Sequence, residues 1–171
     1  TGVRNPVEDI ARLAHDHGAL VIVDAVTSLG AMPVDMAAWD IDVCYSCSQK
    51  GLGAPSRLSP VAFAPRALPK RIPCRNFALD LGLLEDYWVR RKYHHTMCAS
   101  LIYALREALM VVEEEGLSAR WSRHERHHHA LASGLDALGL SLLPPPAERV
   151  EMLGNAVAGL DLERLRELPR R

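Results

Sequence analysis

The sequence lacks what several function classes require. No apolar run approaches the ~20 residues that span a bilayer. No charged-then-apolar leader opens the chain, so a membrane role is not expected. Neither sign of charge dominates: 20 Lys and Arg against 21 Asp and Glu leave a formal net charge of −1. Nucleic acid and acidic membrane surfaces therefore have no electrostatic claim on it. Cysteine is scarce, and Cys44, Cys47, Cys74 and Cys98 do not make the framework of a secreted domain. A reducing, cytoplasmic setting is the expectation. Repeats are absent, and the only low-complexity tract is Pro144-Pro145-Pro146. The chain opens at Thr1 rather than at a methionine, which suggests a partial sequence.

What is present is 171 residues, 49% hydrophobic and 24% charged, enough for one packed domain. Asn5-Pro6 marks a helix start, with Glu8 and Asp9 near its positive end. Val7, Ile10, Leu13 and Ala14 recur on one face, which predicts that this face packs inward, and Gly18 ends the helix. Residues 20–24, Leu-Val-Ile-Val-Asp, form a continuous apolar run of the buried parallel-strand type, closed by a carboxylate. A loop through Gly30 and a short segment at 35–39 lead to a second strand at 41–45. A third follows at 60–64 after a reversal rich in Gly, Pro and Ser. This order predicts an α/β fold, a mainly parallel sheet flanked by helices.

Beyond Asp80 the pattern turns helical. A short helix is expected at 84–91, then a polar junction, Tyr93-His94-His95-Thr96. Residues 100–115 form an amphipathic helix with Leu101, Ala104, Leu105, Ala108, Leu109 and Val112 facing inward. Gly116 separates it from a second long helix at 117–138, which Gly139 closes. A strand is expected at 140–143, and one more helical pattern at 160–168. The division this implies is residues 1–115 as part of a cofactor-binding large domain. Residues 116–171 would then be a connecting helix and the start of a small domain.

Two residues stand where chemistry is expected. Asp24 ends one strand and Lys50 follows the next, and ligands of open α/β sheets bind outside the carboxyl ends of strands. A cofactor that stabilises carbanions needs an amine to tether it, an acid at its ring nitrogen and a cradle for its phosphate. Spacing alone leaves the bland alternatives open, Asp24 as a loop cap and Lys50 as a solvated loop lysine. Cys44 and Cys47 form a Cys-x-x-Cys, but strand alternation sends them to opposite faces, against a redox or metal role. His124, His127 and His128 share a helical face, yet Arg123 and Arg126 flank them, and a solvated face is the expectation rather than a metal site.

The segments Val23-Asp24-Ala25-Val26-Thr27-Ser28-Leu29-Gly30 and Tyr45-Ser46-Cys47-Ser48-Gln49-Lys50-Gly51-Leu52-Gly53-Ala54-Pro55 resemble the alanine–glyoxylate/serine–pyruvate aminotransferases. So do Tyr93-His94-His95-Thr96 and Leu105-Arg106-Glu107-Ala108-Leu109, in the same order. These are class V, fold type I enzymes, and the likeness covers residues 1–143. The resemblance implies pyridoxal 5'-phosphate held by Lys50 as a Schiff base, with Asp24 at the pyridine nitrogen. It further implies Val26 on a ring face and Gln49 toward the phosphate. Tyr93 and Thr96 would reach the phosphate of a second subunit's cofactor, giving a homodimer with shared sites. The implied reaction moves an amino group from alanine or serine to glyoxylate or pyruvate, with Lys50 as general base.

The sequence also departs from that family. Arg57 stands where a glycine is usual, which predicts a strained turn. The family's Gly-containing phosphate loop, its ring-stacking aromatic and its carboxylate-binding Arg have no counterpart in these residues, so little activity is expected of the 171 residues alone. Cysteine desulfurases carry His before the lysine, where Gln49 stands here, and they need a nucleophilic Cys loop. A phosphoserine-type transaminase and a non-catalytic remnant stay open. So does a peroxisomal location, although the last residues, Leu168-Pro169-Arg170-Arg171, are not a Ser-Lys-Leu signal.

Overall fold

Helix α1 (Val7–Asp16) begins where proline permits: Pro6 holds the cap position, and Glu8 and Asp9 occupy the first turn. In the computed structural model, which describes residues 2–145 and 147, the helix ends through Gly18 at φ +70°. The Gly18 amide donates to the His15 carbonyl at 2.9 Å. Three strands follow: β1 (Ile22–Asp24), β2 (Val43–Tyr45) and β3 (Val61–Phe63). Their order is β1-β2-β3, the first pair parallel and the second antiparallel. Asp24 pairs in register with Tyr45, so both lie at the carboxyl ends of their strands.

The short ladders are tied down beyond their ends. The Val21 amide donates to the Asp42 carboxylate at 2.7 Å, and the Ser46 amide donates to the Pro60 carbonyl at 2.9 Å. The β1–β2 crossover contains turns rather than an α-helix. Asp35 caps one of them by accepting from the Ala37 and Ala38 amides at 3.0 and 2.8 Å.

Two 3-10 turns, Pro65–Lys70 and Phe77–Leu79, carry the chain to α2 (Leu81–Val89), α3 (Ala99–Glu115) and α4 (Leu117–Ala137). Helix α2 starts earlier than its periodicity suggests because the Asp80 carboxylate accepts from the Gly82 and Leu83 amides at 2.8 and 3.2 Å. Helices α3 and α4 pack on each other across Gly116, whose φ of +78° makes the corner. The strand expected at 140–143 is reduced to a single bridge position at Leu142, with no ladder beside it among the described residues. The helical pattern at 160–168 lies outside the described residues.

The core sits beneath the loops that leave β1 and β2. Ala25, Ala31, Met32, Ile41, Leu52 and Ala54 are all buried there. Helix α1 differs from expectation: Ala11 is fully buried, while Ile10 and Leu13 are exposed. Ile22 of β1 is exposed as well. An apolar stripe is buried only where a second layer covers it, and three short strands are too small a layer for this one. In α3, Val112 is buried and Leu101, Ala104, Leu105 and Ala108 are half-buried, but Leu109 is exposed. The expected solvated histidine face is corrected too. His128 is buried and His124 half-buried, leaving only His127 of the three exposed. Burial, followed by the charge of Arg123, holds His124 below the usual histidine range.

Candidate active site

The end of β1 presents a carboxylate that is already oriented. One oxygen of Asp24 accepts the Val26 amide at 2.8 Å, and the other accepts the Tyr45 hydroxyl at 2.9 Å. Both donors follow from local geometry: Val26 closes an Asx-type turn, and Tyr45 is the register partner on β2. The charge leaves a mark on its neighbours. The bond to Asp24 pushes the Tyr45 phenol above its ordinary pKa, and burial, with Asp24 beside it, does the same to the Cys44 thiol. Asp24 also helps wall a cleft of 320 Å³, together with Val23, Ala25, Thr27 and Ser28.

The segment that leaves β2 is pinned residue by residue until it reaches Gln49. The Ser46 hydroxyl donates to the Ala25 carbonyl at 3.0 Å, and the Cys47 thiol reaches the Val26 carbonyl at 3.8 Å. The Ser48 hydroxyl donates to the Pro55 carbonyl, and its amide to the Leu58 carbonyl at 3.0 Å. Ser46, Cys47 and Ser48 are buried, whereas Gln49 and Lys50 emerge exposed. Buried hydroxyls that satisfy backbone carbonyls thus fix the base from which the lysine projects. Cys44 and Cys47 are free thiols. Among the described residues, no group of three or more His, Cys, Asp or Glu is placed to hold a metal ion.

The two loops press together backbone on backbone. A methyl group built on Gly51 would stand 2.3 Å from the Leu29 carbonyl oxygen, and one on Gly30 would stand 2.8 Å from the Gly51 oxygen. A buried guanidinium caps this contact. Arg120, in the first turn of α4, donates to the Gly30 carbonyl at 3.1 Å and to the Gly51 carbonyl at 2.7 Å. Its third nitrogen binds Glu115 at 2.7 Å. Arg123 and then Arg120 hold the Glu115 carboxyl down at about 2. Sequence reading missed Arg120 and Tyr45, because neither contact has a signature in local spacing.

Tyr93 and Thr96 lie between α2 and α3 and bond to each other through their hydroxyls at 2.8 Å. Both are exposed, and the described hydrogen bonds join neither to Asp24 or Lys50. His94 anchors them. It is buried, stacks on Phe77 with ring centroids 4.3 Å apart, and bonds the Phe77 carbonyl at 2.8 Å.

Downstream of Lys50, Arg57 adopts φ +91°, so the glycine-like position expected from the sequence is real. A side chain there costs on the order of 1 kcal/mol. Arg57→Gly is therefore expected to raise unfolding stability by about that amount. A urea denaturation midpoint that stays put or falls would show the turn to be relaxed as it stands.

The class-V aminotransferase family model matches residues 1–167. The chain belongs to the class-V aminotransferases. It is 38% identical to an alanine–glyoxylate aminotransferase of Oryctolagus cuniculus, over 88% of this chain and 41% of that protein. Its identity to a (S)-ureidoglycine–glyoxylate transaminase of Bacillus subtilis is 34%, over 98% of this chain and 46% of that one. Among solved structures, an alanine–glyoxylate aminotransferase from Nostoc sp. superposes with a TM-score of 0.84 at 43% identity, over 88% of this chain and 41% of that one. The class-V chain thus spans less than half the length of these relatives. The α/β fold and the motif resemblance are both borne out.

Proposed function

We propose that the protein built on this chain is a pyridoxal 5'-phosphate-dependent transaminase moving an amino group from alanine or serine to glyoxylate or pyruvate. The observation that carries this reading is the parallel register of β1 and β2. It puts Asp24 at the end of the sheet from which the chain leaves toward Lys50, with both carboxylate oxygens already hydrogen-bonded. The donor set suits the cofactor: an oriented anion for a protonated ring nitrogen and an exposed amine for the tether. When bound, the cofactor supplies an electron sink for the pair left on the substrate Cα.

The residues divide the work. Asp24 holds the proton on the ring nitrogen, and Tyr45 and the Val26 amide keep its carboxylate aimed. Lys50 would tether the cofactor and, with its amine free, would serve as the base that takes the proton from the substrate Cα. Val26 would help hold the ring, and Gln49 would help hold the phosphate. Tyr93 and Thr96, exposed and mutually bonded, serve the phosphate of a second subunit's cofactor in a homodimer. Residues 1–115 belong to the large domain, and residues 116–171 lead toward a small one. The 171 residues alone are expected to turn over little, given how much of the relatives' length lies outside them.

The test is chemical. The full-length protein is loaded with pyridoxal phosphate, reduced with borohydride, digested and mass-mapped. The phosphopyridoxyl group is expected on the peptide containing Lys50 and absent from Lys50→Ala. Labelling confined to another lysine, or to none, sinks the assignment.

A further inference from the structure

We infer that Arg120 is a positioning residue for the cofactor lysine, clamping the loop that carries Lys50 to the loop that follows Asp24. This rests on the proposed role of Lys50. The guanidinium is buried and spends two of its three nitrogens on carbonyls from the two loops, Gly30 at 3.1 Å and Gly51 at 2.7 Å. Gly51 is the residue directly after Lys50. Gly30 closes the motif that contains Asp24.

These carbonyls lie where the backbones touch, so little side-chain material stands between the loops to hold them together. The planar fork supplies what side chains do not, a pair of donors at fixed separation. Glu115 completes the arrangement. It takes the remaining nitrogen of Arg120 at 2.7 Å and is itself held by Arg123, so the buried cation has a counter-charge. The clamp comes from α4, beyond the corner at Gly116, and it ties the long helices to the site.

A lysine at this position offers one compact ammonium and loses the fork. Arg120→Lys in the full-length holoenzyme is expected to lower kcat by about 100-fold, since a displacement near 1 Å at reacting groups costs that much, with KM changed far less. It should also move the pH midpoint of the bound cofactor's visible absorbance by about half a unit or more, because the tethering nitrogen moves with the loop that carries it. Arg126→Gln is the control. It removes an exposed positive charge from the same helix, outside the clamp, and should leave that midpoint in place.

A second readout needs no cofactor. Amide hydrogen exchange in the apoprotein is expected to accelerate in Arg120→Met at residues 29–31 and 51–54 together, and not along residues 102–111 of α3. Acceleration spread evenly over the chain, or none in the two loops, overturns the clamp. So does a pH midpoint unmoved in Arg120→Lys while borohydride labels Lys50 in the wild type. If the wild type carries no label on Lys50, the proposed function fails, and the positioning role of Arg120 fails with it.

Discussion

Replacing Gly51 by alanine is expected to abolish turnover and to cost the fold about 3 kcal/mol, the upper range for forcing atoms into a packed interior. The added methyl group would lie 2.3 Å from the Leu29 carbonyl oxygen, 3.0 Å from the Ala31 amide nitrogen and 3.2 Å from the Ala31 Cβ. Two of these neighbours are backbone, and Leu29 and Ala31 flank Gly30, whose carbonyl Arg120 already holds. The strain therefore has no flexible side chain to absorb it, and the loop bearing Lys50 must lift away from the loop after Asp24. Gly134 is the matched control. It lies inside α4 with nothing within 4 Å of a built Cβ, so Gly134→Ala is expected to stabilise by about 0.5–1 kcal/mol through helix propensity alone. Urea unfolding of both variants checks the pair. A Gly51→Ala protein with the wild-type midpoint and wild-type rate would mean the two backbones do not touch.

Much of the site was legible because its parts are local. Asp24 ends an apolar run, and Lys50 follows a second run through two buried serines. Both lie on short segments whose residue types report their own surroundings. The order of strands and the reversal before β3 were legible for the same reason. The partners of those residues were not. The bond from Tyr45 to Asp24 depends on strand register, which neither strand encodes alone. Arg120 reaches across α4, the Gly30 loop and the Gly51 loop, and nothing in its neighbourhood, Ser118-Ala119-Arg120-Trp121, marks it as buried.

Helix faces failed in both directions for one reason. Periodicity identifies which residues share a face but not what stands opposite it. The apolar face of α1 therefore meets solvent at Ile10 and Leu13, while α4 buries His128 from a face that looked polar.

Asp42 should decide how the protein responds to acid. It is fully buried just before β2, and its carboxylate accepts from the Val21 amide at 2.7 Å, from His15 at 2.8 Å and from Arg66. Burial alone would raise its pKa, but the bonds from His15, Val21 and Arg66 outweigh that and bring it from 3.8 to about 2. A carboxyl whose folded pKa lies below its unfolded value stabilises the fold fully above the unfolded value. That contribution is lost as pH falls through the folded one, so the window runs from about pH 4 down to about pH 2. The shift corresponds to roughly 2 kcal/mol at neutral pH.

Asp42→Asn keeps the shape but turns an amide N–H₂ toward groups that are themselves donors, and it is expected to cost about 3 kcal/mol at pH 7. Unfolding free energies at pH 7, 4 and 2.5 test this. The gap between wild type and variant should be wide at 7 and narrow at 2.5. A constant gap would show that the carboxylate's charge is not what matters.

The consequence reaches the site through the strands. Asp42 joins α1 through His15, the start of β1 through Val21 and the turn after β3 through Arg66. With those ties weakened, the register that sets Tyr45 beside Asp24 loses its anchors at the start of both strands. The proposed transaminase activity of the full-length protein is therefore expected to fall in Asp42→Asn further than its residual folded fraction accounts for.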